Sequence, residues 1–230
     1  MTTPHAPRPL VFEHVPLGRD VSQAFTLEIP AHHTVAVLGD EDSGLGALGS
    51  YALGLDRPPA GRVLTFDTDV AALPDRERLA FRRRVGYLPA GEGLLQNLSL
   101  RDNIALPLRF GSDASPREID GRVNVMLAAV RLAAAGHLRP AQANEEERRR
   151  AALARAIAFD PSLLVLEQPF DGLTARVASE LLELARGGES AEGARRTIFI
   201  TGQEIPPLLL RRVERVYRLT RAGALEPETV

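Results

Sequence analysis

The sequence predicts an α/β fold: a mainly parallel sheet with helices on both faces, preceded by an antiparallel layer of short strands. Three observations carry this. Runs that are apolar throughout and rich in β-branched residues stand at residues 34–39, 163–166 and 197–201. Segments of helical periodicity separate them, and strands apolar at every position belong to sheets buried on both sides. Residues 10–30 differ, with short alternating runs of the kind found in antiparallel strands.

Taken in order, residues 34–39 form a buried strand, followed by a Gly-rich turn and the apolar segment 45–55. Residues 75–84 read as an exposed charged helix, and 85–88 as a strand. Residues 117–135 are amphipathic at helical spacing, with Ile119, Val123, Met126, Leu127 and Val130 in one stripe. A helix over 145–159 leads into the strand 163–166. Strands follow at 197–201 and 213–219, separated by a Pro-containing helical segment, and residues 223–230 read as a short polar tail. No repeat or low-complexity tract interrupts the pattern.

A chain of 230 residues suits one α/β domain, or a core with a small inserted subdomain. An apolar fraction of 44% supports a packed core. With 28 basic against 30 acidic residues, the chain lacks the positive excess that drives nucleic-acid binding. It has no cysteine, hence no disulfide framework, thiolate nucleophile or thiolate metal site. Every basic residue is arginine; lysine is absent. That excludes Schiff-base chemistry and any phosphate loop that depends on a lysine. No stretch approaches 18 consecutive apolar residues, and residues 1–9 lack the apolar run of a signal peptide. The expected location is the cytoplasm, peripheral to a membrane through partner subunits.

Several segments, in order along nearly the whole chain, then point to a family. Residues 37–48 look like a phosphate loop, and GLDRPPAGRV at 54–63 resembles the segment that follows it in ATP-binding cassettes. RRVGY at 83–87 and LSLRDNIALP at 98–107 resemble the region around the cassettes' glutamine loop. RRAALARAIA at 149–158 is similar to the helix after their signature motif, and LLVLEQPFDGL at 163–173 to their second nucleotide motif. The stretch at 103–107 is particularly similar to cassettes of lipid-trafficking transporters. The resemblance implies a P-loop NTPase-like cassette with a core over residues 10–89 and 151–222 and a helical subdomain over about 90–150. It also implies transmembrane permease partners and a dimer, with itself or with another cassette.

The chemistry that the resemblance would bring is missing residue by residue. Leu45 and Gly46 stand where the family carries its lysine and the hydroxyl that holds Mg²⁺. Asp40, Glu41 and Asp42, within the loop Gly39, Asp40, Glu41, Asp42, Ser43, Gly44, put carboxylates where the family wraps phosphate. One like-charge pair at about 5 Å and an effective dielectric near 20 costs about 3 kcal/mol. The loop reads as a solvated acidic turn or, more sharply, as a metal loop, although the spacing of a calcium loop is incomplete. Ala90 takes the place of the glutamine, Glu167 of the Mg²⁺-associated aspartate, and Gln168 of the general base. A neutral amide does not accept the proton of an attacking water. Thr174 replaces the aspartate of the next loop and Gly202 the switch histidine, and residues 17–19 offer no aromatic platform for adenine.

The signature motif is also replaced, by Ala143, Asn144, Glu145, Glu146 and Glu147. Asn144 and Glu147 form a capping-box pattern, and the glutamates complement the helix dipole themselves. They also stand at i,i+3 and i,i+4 spacings from Arg148, Arg149 and Arg150. The helix is then either simply well capped, or its carboxylates occupy the place of a phosphate.

Leu94, Leu95, Leu98 and Ile104 are candidates for docking a transmembrane partner, or else core of the helical subdomain. His32 and His33 read as an exposed turn rather than a metal pair, and Arg82, Arg83 and Arg84 as a solvated basic face or a contact for lipid headgroups. The expectation is a catalytically inactive cassette serving as a scaffold or regulatory subunit of a membrane transport complex, with lipid as the cargo class that the resemblance at 103–107 implies. It needs no cofactor. ATP and Mg²⁺ enter only if the chain binds nucleotide without hydrolysing it, or is an unconventional ATPase.

Overall fold

The computed structural model describes residues 7–17, 23–187 and 195–228. Two sheets carry the fold. Strands β1 (Leu10–Pro16), β2 (Ala24–Ile29) and β4 (Arg62–Thr65) form an antiparallel sheet in the order β2-β1-β4. The second sheet runs β5-β6-β7-β3-β8-β9. Its strands are β3 (Thr34–Leu38), β5 (Val85–Leu88), β6 (Leu163–Glu167), β7 (Thr197–Gly202), β8 (Arg215–Leu219) and β9 (Leu225–Pro227). All its pairs are parallel except the last, β8 with β9.

The central strands are apolar throughout because each side faces its own core. Val35, Val37, Leu163, Val165 and Phe199 point toward the antiparallel layer, where Phe12 packs on Phe25 and Phe199 at centroid distances of 5.8 and 5.4 Å. Ala36, Leu38, Leu164, Leu166, Ile198 and Ile200 point to the opposite core, under the helices. Alternation along a strand sends successive side chains to opposite faces, so a sheet covered twice needs apolar residues at every position.

Helix α1 (Gly46–Ala52) follows β3, and the exposed α2 (Asp75–Arg82) precedes β5. Between β5 and β6 lie α3 (Leu100–Gly111), α4 (Pro116–Ala129) and α5 (Glu145–Ala156). α6 (Ala175–Arg186) and the short α7 (Pro207–Leu210) complete the set. The α4 stripe is buried as the periodicity predicts, but the helix stops at Ala129, where Val130 and the left-handed Arg131 (φ 60°) turn the chain. The segment read as a polar tail is also corrected in part, since Leu225–Pro227 pairs antiparallel with β8. Among the described residues no helix is long and apolar enough to cross a membrane.

Several carboxylates are held by this framework in their charged form. Burial pushes the Glu214 carboxyl up, but the Thr34 N–H at 2.7 Å and Arg186 at 3.0 Å outweigh it and hold it below its ordinary range. Glu180 is lowered chiefly by Arg150 (2.8 Å), and Asp102 chiefly by the Ser99 hydroxyl (2.6 Å). A group with a depressed folded pKa stabilises the fold above its unfolded pKa, about 4. That contribution is lost as pH falls through the lower folded value. The urea midpoint is therefore expected to be flat from pH 7 to 5 and to fall steeply below about pH 4; a midpoint equal at pH 5 and pH 3 would contradict it.

Candidate functional site

In open α/β sheets ligands sit beyond the carboxyl ends of the strands. Here Leu38 of β3 lies beside Gly202 of β7, and Glu167 of β6 beside Thr201. A cleft of about 240 Å³ opens at these ends. The loop after β3 contributes Gly39, Asp40, Leu45 and Gly46; Ala90 follows β5, Gln168 follows β6, and Gln203 follows β7. The residues that the sequence aligns with phosphate, Mg²⁺, base and switch positions are thus brought together in one place. Ala143 to Glu147 stand apart, at the start of α5.

The loop after β3 is closed on itself. Residues Glu41–Ser43 make a single 3₁₀ turn, in which the Ser43 N–H and hydroxyl donate to the Asp40 carbonyl at 3.0 and 2.5 Å. Gly44, at φ 82°, supplies the left-handed residue that returns the chain to α1. The Leu45 side chain turns into the core beside Val37 and Leu48 and is 7% exposed. A Cβ placed on Gly39 would meet Ser43 Oγ at 3.0 Å and Leu45 Cδ1 at 3.2 Å, so these two side chains lie close against Gly39 on the inside of the turn. The Ala47 and Leu48 amides donate to the Gly44 and Leu45 carbonyls at 3.0 Å. Asp40 and Asp42 are exposed, and the Glu41 side chain lies outside the described residues. So do residues 18–22, which hold most of the segment searched for an adenine platform.

Glu167 is buried and its carboxylate is engaged within the protein. Oε1 accepts from the Tyr87 hydroxyl at 2.9 Å, and Oε2 from the Ala90 N–H at 3.1 Å. Burial first, then the neighbouring carboxylate, drives the Tyr87 pKa far upward, so the phenol remains a donor. α1 makes room for this longer acid at Gly49, where a Cβ would lie 2.2 Å from Glu167 Oε1. Gln168 takes a left-handed backbone (φ 46°), which costs a non-glycine residue about 1–2 kcal/mol. Its N–H donates to the Thr201 carbonyl at 2.7 Å and its carbonyl accepts from Arg149 Nη1 at 2.9 Å. At Gly202 a Cβ would meet no atom closer than 3.8 Å, so the switch position presents open space. Thr174 caps α6, its hydroxyl accepting from the Val177 N–H.

The capping box at α5 is present in both directions: Asn144 Oδ1 accepts from the Glu147 N–H, and Glu147 Oε2 from the Asn144 N–H, each at 2.9 Å. The pairing expected between the glutamates and the following arginines is realised only at Glu146–Arg150, at 2.8 Å. Arg149 and Arg150 are buried, and Arg148 turns to Glu92 at 3.1 Å, because the arginine face of α5 points into the protein. The Glu145 carboxylate lies against Gly172, where a Cβ would meet Oε1 at 2.1 Å.

The docking set divides. Leu94 and Ile104 belong to the core, since α3 packs against both α4 and α5, whereas Leu95 is exposed and Leu98 half-buried. The residue that shapes this region, Asn103, was missed by sequence reasoning because a lone Asn in an apolar helix carries no pattern. It is fully buried, with Oδ1 accepting from the Leu95 N–H at 2.8 Å and Nδ2 donating to the Leu95 and Ser99 carbonyls at 3.1 and 3.0 Å. Asn103→Leu, of similar size, orphans the Leu95 N–H, while the Leu95 and Ser99 carbonyls keep the Leu98 and Asn103 amides, and is expected to lower stability by about 1–3 kcal/mol. Equal urea midpoints for variant and wild type would show that the bonds carry no weight. Arg84 stacks on Phe66 and Arg83 on Phe159, with guanidinium-to-centroid distances of 4.0 and 5.8 Å. Among the described residues no group of three or more His, Asp or Glu is placed to hold a metal ion.

With this geometry in place, the comparisons identify the family. The ABC transporter family model matches residues 22–171, and the chain belongs to that family. It is 32% identical over 217 residues to the lipoprotein-releasing system ATP-binding protein LolD of Chromohalobacter salexigens, covering 94% of this chain and 90% of that protein. It is 34% identical over 193 residues to the sulfate/thiosulfate import ATP-binding protein CysA of Mesorhizobium japonicum, covering 83% of this chain but only 53% of that protein. The fold matches a dimeric post-hydrolysis structure of the ATP-binding cassette MJ0796 bound to ADP and Pi, with a TM-score of 0.82 at 21% identity over 96% of this chain and 98% of that one. The fold is therefore that of a P-loop NTPase cassette.

Proposed function

We propose that this chain is a cassette subunit of a membrane transport complex that neither binds nor hydrolyses ATP in the family's manner and serves as a scaffold for transmembrane partners. The observation that carries it is the phosphate loop: Leu45 and Ser43 lie close against Gly39, no lysine exists to replace Leu45, and the Asp40 carboxylate lines the cleft. The residues present do not fit a triphosphate with Mg²⁺. Glu167, the carboxylate at the family's metal position, already accepts two hydrogen bonds from the protein. Gln168 and Gly202 supply neither a base nor a switch imidazole.

In this reading residues of about 90–150 form a helical subdomain that meets the permease, with Leu95 and Leu98 as its accessible apolar residues, and 10–89 with 151–222 form the core. The site is cytoplasmic and peripheral to the membrane, reached through that partner, and the chain pairs with itself or with another cassette. The similarity to LolD, named for a lipoprotein-releasing system, favours a lipid-related cargo. Calorimetric titration of the wild-type chain with Mg-ATP tests the central claim. No binding heat at millimolar nucleotide is expected; saturable micromolar binding would make the chain a nucleotide-gated subunit instead.

A further inference from the structure

Three consecutive residues after β5, Gly91, Glu92 and Gly93, have positive φ angles of 71°, 69° and 60°. Two are glycines, for which this is ordinary. Glu92 has a side chain, and it is buried. Its carboxylate lies 3.1 Å from Arg148 Nε and 3.9 Å from Arg149 Nε. Arg155 reaches the same turn from two helical turns further on, donating to the Glu92 and Gly93 carbonyls at 2.7 and 2.6 Å. Three arginines of one helix thus converge on one left-handed turn.

The connection continues to the cleft. Arg149 donates at its other end to the Gln168 carbonyl, and Ala90, two residues before Glu92, donates to Glu167. Arg148 also donates to the Ala143 carbonyl at 2.9 Å, at the start of the motif that precedes α5. The turn, the helix and the pair Glu167–Gln168 are joined by these hydrogen bonds.

We propose that Glu92 is a latch: set between Arg148 and Arg149, it holds the loop 89–93, helix α5 and the rear of the cleft in one arrangement without a ligand. This deepens the reading above, in which no nucleotide organises the cleft. A fixed arrangement suits a subunit that transmits no stroke.

Glycine substitution separates the latch from a mere turn. At φ 69° glycine is the residue the backbone prefers, so a turn residue replaced by glycine leaves the loop as ordered or more so. Under the latch, Glu92→Gly removes the carboxylate that the arginines hold. Hydrogen exchange of amides 90–95 and 145–150 is then expected to speed up at least tenfold in Glu92→Gly, and likewise in Arg148→Gln, which leaves the turn's own sequence intact. Unchanged or slower exchange in either variant overturns the proposal. Adding Mg-ATP to the wild-type chain keeps the two ideas apart. Nucleotide-dependent protection of residues 39–48 would sink the scaffold reading, while the comparison of variants would still decide the latch.

Discussion

Mg-ATP at millimolar concentration is expected to leave the melting temperature of the wild-type chain unchanged, with no phosphate released above the buffer blank. A ligand present at 100 times its dissociation constant stabilises a native protein by about 2.7 kcal/mol, which for a chain of this size raises the melting temperature by roughly 5–10 °C. An effect of that size is not easily hidden. Under the proposed function it is not expected to arise, for additive reasons. Micromolar affinity is worth about 8 kcal/mol, and a phosphate loop gains it from backbone amides, a lysine and a metal. This chain offers Leu45 in place of the lysine, with Cδ1 where it would lie 3.2 Å from a Cβ placed on Gly39. The amides of Ala47 and Leu48 already donate to carbonyls of the loop, and the Asp40 carboxylate at the cleft adds a charge of the wrong sign for a triphosphate. A clear shift that disappears on Glu167→Ala would show that metal-bound nucleotide still enters the cleft.

Most of the β framework was legible in the sequence because burial on two faces writes itself as unbroken apolar runs. Residues 34–38, 163–166 and 197–201 need no partner information to be read as strands. The antiparallel layer showed through the alternation in AFTLEI, whose burial alternates residue by residue. Helices α3 and α6 escaped for a different reason. In α3 a proline at 107 and a buried Asn103 interrupt the pattern, and α6 begins at Thr174, a cap that stands where the family carries an aspartate. The strand Leu225–Pro227 is only three residues long and exists because β8 would otherwise be an unpaired edge.

The cleft was legible as a list of substitutions, but not as a built site. That Glu167 would be satisfied by Tyr87 and Ala90, and accommodated by Gly49, depends on contacts between segments up to 118 residues apart. The same holds for Glu92, which in sequence is one acid in a Gly-Glu-Gly turn and in space meets arginines more than fifty residues away. Sequence spacing suggested that the α5 glutamates and arginines would pair along their own helix. The fold instead turns Arg148, Arg149 and Arg155 toward the buried Glu92 carboxylate and the carbonyls of Ala143, Gln168, Glu92 and Gly93, since a buried carboxylate without a cation is costly.

Under the proposed function Leu45 belongs to the core rather than to a phosphate site, and the substitution that would restore the family's lysine is expected to fail. Leu45→Lys restores the family's residue type at the family's position. It also removes a buried leucine packed with Val37 and Leu48, a change of the kind that costs about 2–5 kcal/mol when nothing refills the space. The lysine stem recovers part of that contact, but its ammonium must either stay desolvated or leave the pocket half empty. The urea midpoint is expected to fall by an amount corresponding to about 2–4 kcal/mol, and Mg-ATP to give no stabilisation, because Gly46, Gln168 and the acidic loop are unchanged. Leu45→Met, which conserves volume, serves as the control and should cost less than about 1.5 kcal/mol. If Leu45→Lys instead matched the wild type in stability and gained nucleotide-dependent stabilisation, the hollow of the loop would be an intact phosphate site lacking one charge. Leu45 would then be dispensable to the core.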